Sequence, residues 1–99
     1  MIEVVKFETP NCRPCRLVGF TLDRVMEQLK DKPVTYAVVD ASIEYDRANA
    51  LGIKQAPTVV IYKDGVEVHR FIGAAFKQDD YLAVIESHLL PAPDAPASV

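Results

Sequence analysis

Asn11-Cys12-Arg13-Pro14-Cys15 is the stretch whose reading decides the fold. An apolar run, Ile2-Glu3-Val4-Val5-Lys6-Phe7, leads into it, and a long amphipathic segment leaves it. It holds both cysteines of the chain. Two thiols separated by two residues at the start of a helix form the minimal device for thiol–disulfide exchange. Asn11 reads as the N-cap of that helix. Pro14 falls in the first turn, where a missing N–H matters little.

Working outward, Ile2 to Phe7 reads as a strand dense enough to be covered on both faces. Glu8-Thr9-Pro10-Asn11 is a loop. The helix should run from the first cysteine to about Lys30. Cys15, Val18, Leu22, Val25, Met26 and Leu29 recur at three- and four-residue spacing as one buried stripe. Arg16, Asp23, Arg24, Glu27 and Lys30 fall outside it. Gly19 inside the helix is unfavourable by up to about 1 kcal/mol against alanine, and close packing on a strand or a mild kink would explain it.

Asp31-Lys32-Pro33 ends the helix, and Val34 to Val39 reads as a second strand. A short helix is expected from about Ile43 to Leu51, stopped by Gly52. Pro57 opens a third strand, Thr58 to Tyr62. Lys63-Asp64-Gly65 turns the chain back into a fourth, Val66 to Ile72, ended by Gly73. A last helix from about Gln78 to Leu90 shows Tyr81, Leu82, Ile85 and Leu89 on one face. Residues 91–99 hold three of the seven prolines and little to bury, so they read as a disordered tail behind a domain of residues 1–90. The element order βαβ-α-ββα predicts an α/β domain. Its four-stranded sheet is mixed, with a right-handed parallel crossover, an antiparallel hairpin and helices on both faces.

At 99 residues a single core is feasible without staples. The net charge of −3 argues against a general nucleic-acid or anionic-membrane surface. No run reaches the ~20 apolar residues of a membrane span, and Met1 to Lys6 is too short and too acidic for a signal peptide. The default compartment is the cytoplasm, where one C-x-x-C is catalytic more often than structural. Nothing in the sequence demands more than a monomer. Two readings would make the cysteines something else. They could be inert core residues, or half of a zinc site, for which the remaining candidates, His69 and His88, lack motif spacing.

The chain resembles the thioredoxin family over about residues 2 to 90. The likeness rests on several stretches: Cys12-Arg13-Pro14-Cys15 after Val4-Val5-Lys6-Phe7, Val39-Asp40, and Gly52-Ile53. It also rests on Ala56-Pro57-Thr58, Lys63-Asp64-Gly65 and Phe71-Ile72-Gly73-Ala74. The strand and helix that usually precede the first strand of the family are missing. The resemblance implies a thioredoxin-like fold and a thiol–disulfide oxidoreductase that reduces protein disulfides. It makes Cys12 the nucleophile, Cys15 the resolving thiol, Pro57 a cis-proline beside them and Gly73 part of a substrate groove. Ala56 would offer its backbone to an extended substrate, and Asn11, Thr58 and Ala74 would line the same groove. No cofactor is implied beyond the redox-active Cys12–Cys15 disulfide. A flavin-dependent thioredoxin reductase would recharge it. The runner-up is a glutaredoxin-like enzyme recharged by glutathione, with a cluster shared between two chains as a remoter variant. The third reading is a binding module whose cysteines are dispensable.

Physical chemistry assigns the same order of events. A helix N-terminus and the guanidinium groups of Arg13 and Arg16 favour the Cys12 thiolate, holding its pKa below the ~8.5 of a free cysteine. Cys15, on the apolar stripe, should keep its proton longer.

Three residues depart from the family pattern. Asn11 replaces the usual tryptophan. Arg13 replaces the commoner glycine and should make the disulfide more oxidising. Lys6 stands where the family carries a buried acid. It either snorkels out with its stem on the core, acts as a neutral base or stabilises a thiolate. Glu8 is a candidate substitute base. Phe7, Phe20, Phe71 and Tyr62 are expected in the core, while Phe76 and Tyr45 could flank the groove. Asp40 should end its strand and cap the segment after it. His69 and His88 should be solvated, and Asp79-Asp80 should favour a helix start.

Overall fold

A computed structural model describes residues 1–89. Leu90 and the expected tail at 91–99 lie outside the described residues. The elements are β1 (Ile2–Glu8), α1 (Arg13–Gln28), β2 (Val34–Asp40), α2 (Tyr45–Ala50), β3 (Thr58–Lys63), β4 (Val66–Ile72) and α3 (Gln78–Leu89). The sheet order is β2-β1-β3-β4. β1 pairs parallel with β2 and antiparallel with β3, and β3 pairs antiparallel with β4.

β1 and β3 are central, and their alternating side chains build two cores. Ile2, Val4, Val59 and Ile61 pack with Val18, Leu22, Val25 and Leu29 of α1 and with Tyr81 and Ile85 of α3. On the other face Val5, Phe7 and Val60 pack with Val39 and with Ala48 of α2. The near-continuous apolar character of Ile2–Phe7 follows from this two-sided burial.

Three expectations need correction. Phe20 is 58% exposed rather than in the core. At about 100° per residue it sits some 200° around α1 from buried Val18, and it faces the outer side beside β2. His88 is half-buried rather than fully solvated. The short helix begins at Tyr45, two residues late, because Asp40 first closes a turn. Its carboxylate accepts from the Ser42 N–H at 2.9 Å and the Ser42 hydroxyl at 2.6 Å, which holds the Asp40 carboxyl below its ordinary pKa.

Candidate functional site

The register places one end of the sheet under the C-x-x-C. Phe7, near the end of β1, is opposite Thr58, the first residue of β3, and Thr58 is opposite Ile72, the last of β4. The loop carrying Cys12, the Ala56-Pro57 junction and Gly73 therefore all emerge at that end. The Ala56–Pro57 bond is cis. The Gly73 N–H donates to the Pro57 carbonyl at 2.9 Å, tying β4 to the proline loop. Gly73 has φ +91°, a left-handed conformation that glycine adopts without strain, and a Cβ there would lie 3.4 Å from the Gln55 side chain.

Cys12 and Cys15 form a disulfide, with Cα atoms 5.2 Å apart. Cys12, not Asn11, is the N-cap of α1. Its Sγ accepts from the Cys15 N–H at 3.1 Å. Asn11 instead takes a left-handed conformation, φ 57°, to deliver the chain into the helix. Asparagine is one of the few residues other than glycine that tolerates this. Pro14 occupies the first turn, as expected. The two sulfurs differ in setting: Cys12 is half-buried, and Cys15 is 2% exposed on the buried stripe. Arg13 and Arg16 are exposed beside them. Aligned peptide dipoles and these guanidinium groups put positive potential at the Cys12 sulfur.

The remaining residues separate into two groups. Asn11 and Ala74 are exposed, and Ala56 is half-buried, so each presents surface near the disulfide. Thr58 is only 2% exposed, and its hydroxyl donates to the Gln55 carbonyl at 2.7 Å. Its side chain holds the proline loop, at the edge of a shallow cleft it shares with Gln55, Arg70 and Ile72. Gln55, which no sequence motif singled out, thus holds Thr58 through its carbonyl, and its side chain lies near Gly73. Phe76 packs edge-on to Phe71 with centroids 5.0 Å apart, at the rim of the core. Tyr45 is exposed and borders a cleft with Thr9, Ala48, Gln55 and Ala56.

Lys6 does not snorkel. It is 5% exposed, and its Nζ donates to the Cys15 carbonyl at 3.2 Å and pairs with Glu8 Oε1 at 2.9 Å. Glu8, considered as a substitute base, is thus tied to Lys6. A Cβ on Gly19 would stand 2.9 Å from that Nζ, so Gly19 leaves the space in which the ammonium sits. Among the described residues, no group of three or more His, Cys, Asp or Glu is placed to hold a metal ion, and no helix is long and apolar enough to cross a membrane.

Comparison with known proteins agrees with this geometry. The thioredoxin family model matches residues 2–87. Thioredoxin 1 of Synechococcus elongatus is 35% identical over 74 residues, which are 75% of this chain and 68% of that protein. Thioredoxin of Griffithsia pacifica is 33% identical over 86 residues, 87% of this chain and 77% of that one. The X-ray structure of Fasciola hepatica thioredoxin superposes with a TM-score of 0.75 at 30% identity, covering 88% of this chain and 80% of that one. The fold, the disulfide in its first helical turn and the sequence likeness agree: this chain belongs to the thioredoxin family and is a dithiol–disulfide oxidoreductase acting on protein disulfides.

Proposed function

We propose that the chain works as a reductase, with Cys12 as nucleophile and Cys15 as resolving thiol. The contrast between a half-buried Cys12 capping α1 and a buried Cys15 one turn inside carries this reading. In the reduced protein the Cys12 thiolate attacks a substrate disulfide. One substrate sulfur leaves as a thiolate, and a Cys12–substrate disulfide forms. Cys15, as thiolate, then attacks Cys12. The Cys12–Cys15 bond forms, the second substrate sulfur leaves, and two electrons have passed to the substrate.

An extended substrate segment would lie along the Ala56 backbone, flanked by Asn11, Gly73 and Ala74. Arg13 and Pro14 would shape the exposed rim. The proline loop, closed by the Gly73-to-Pro57 hydrogen bond, supports that surface. A flavin-dependent thioredoxin reductase would restore the dithiol, with glutathione as the competing donor. The working form would be a cytoplasmic monomer.

Insulin reduction tests this reading. Turnover should be sustained by NADPH with thioredoxin reductase and be slower with glutathione. Cys12→Ser should abolish turnover, and Cys15→Ser should accumulate a covalent substrate adduct. A glutathione-only enzyme would reverse the choice of donor. A Cys15→Ser protein that traps nothing would remove the proposed division of roles.

A further inference from the structure

Lys6 places a cation inside the protein, against the backbone of Cys15. Removing an ammonium from water is costly unless it gains close partners. Two are present: the Glu8 carboxylate and the backbone carbonyl of Cys15. The second partner is informative because it belongs to the residue carrying the buried sulfur. Lys6 thereby ties the first turn of α1 to β1 at Cys15. The slot exists because residue 19 has no side chain.

Lys6 and Glu8 also form the floor of an open cleft between α1 and β2, walled by Arg16, Phe20 and Asp23 on one side and by Tyr36 and Val38 on the other. The titratable and charged groups around Lys6 are therefore Glu8 on its own strand, Arg16 and Asp23 from α1, and Tyr36 from β2. Tyr36 keeps its proton across the working range. Burial first, then Asp23 and Glu8, push its ionisation up to about 12.

We propose that Lys6 is a positioning residue for the resolving thiol: held by Glu8 in the space left by Gly19, it fixes the backbone of Cys15 and favours the Cys15 thiolate during the second exchange step. The inference rests on the assignment of Cys15 as the resolving thiol. An ammonium close to a thiol favours its ionised form, and Glu8 offsets part of that effect. The step itself is unchanged. The Cys15 proton passes to solvent, and the Cys15 sulfur bonds to the Cys12 sulfur. The Cys12–substrate bond breaks, and the substrate sulfur leaves with the electron pair. The positive charge acts on how much Cys15 is ionised when the mixed disulfide forms.

Stopped-flow mixing of the reduced full chain with 5,5′-dithiobis(2-nitrobenzoate) separates the two exchanges. The first release of coloured thiolate reports attack by Cys12, and the second reports resolution by Cys15. Lys6→Met should slow the second release about tenfold at pH 7 and move the midpoint of its pH profile up by about one unit, with a smaller effect on the first. Glu8→Gln should move the midpoint down. Gly19→Ala keeps the charge but displaces the ammonium, and should move it up by less than Lys6→Met. Alanine favours the helix and meets only the flexible end of Lys6, so that variant should fold even if Lys6→Met does not, as circular dichroism would show.

A second release unaffected by Lys6→Met and Gly19→Ala would overturn the proposal. So would a shift of Lys6→Met and Glu8→Gln in the same direction. Cys12→Ser and Cys15→Ser, each left with one thiol and therefore one release, distinguish the two levels of failure. If Cys12→Ser keeps the parent's fast first release and Cys15→Ser loses it, the assignment of Cys15 is wrong. If Cys15→Ser keeps that fast release while the Lys6 variants behave like the parent in the second, the positioning role alone is wrong.

Discussion

A glycine inside a helix needs a compensating reason, and at Gly19 that reason is another residue's ammonium group. The sequence showed both halves, a Gly19 on α1 that close packing on a strand or a kink would explain and an unexpected Lys6 on the central strand. The partnership was not legible, because it depends on how deeply α1 settles on β1, which no local pattern encodes. Phe20 was misread for a related reason. Its hydrophobicity says core, but its angle on the helix and the uncovered outer side of β2 leave it exposed. Tyr81 poses the opposite problem. It is fully buried against Phe71, with ring centroids 4.5 Å apart, and burial raises its ionisation to about 12. Among the described residues its hydroxyl finds no hydrogen-bond partner. A buried polar group without a partner lowers stability by roughly 1–3 kcal/mol. Tyr81→Phe should therefore leave urea-unfolding stability unchanged or raise it by about 1 kcal/mol. A loss of more than about 1 kcal/mol would show that the hydroxyl is partnered.

Elements whose ends are written in turn chemistry were the readable ones. Lys63-Asp64-Gly65 announced a hairpin, and β3 and β4 are joined by Asp64 and Gly65 alone, with φ of 51° and 86°. Two successive positive φ values define the turn whose twist matches paired strands. Gly65→Ala should accordingly destabilise the protein by about 1–2 kcal/mol, measured by urea unfolding, while leaving insulin reduction at 25 °C intact. The effect is conformational, since a Cβ at Gly65 would meet nothing within 4 Å. By contrast, the start of α2 was displaced by the Asp40–Ser42 turn, and that of α1 by one residue. Asn11 is the better cap by composition, but the Cys12 sulfur is the atom that receives the Cys15 N–H. Sequence rules rank side chains for a role; geometry chooses the one in reach.

Across the whole molecule, redox chemistry requires that the fold survive both states of the Cys12–Cys15 pair. The packing provides for this. Neither buried cluster draws on a cysteine: one is assembled from Ile2, Val4, α1, β3, Phe71 and α3, the other from Val5, Phe7, Val39, Ala48 and Val60. The disulfide spans a sequence separation of 3, so it removes little freedom from the unfolded chain. The chain-entropy relation for so short a loop gives about 2 kcal/mol. A domain of this size is ordinarily stable by about 5–15 kcal/mol, which leaves a folded reduced state. Reduction with dithiothreitol should therefore lower the urea midpoint without abolishing the cooperative transition, and the loss in unfolding free energy should not exceed about 2 kcal/mol. Far-ultraviolet circular dichroism should keep its helical signal on reduction, because α1 retains its stripe of Val18, Leu22 and Val25 on the sheet. If reduction instead unfolds the chain, the two clusters do not hold the fold by themselves. The pair would then be a structural staple, in conflict with a cycle that must open and close it at each turnover.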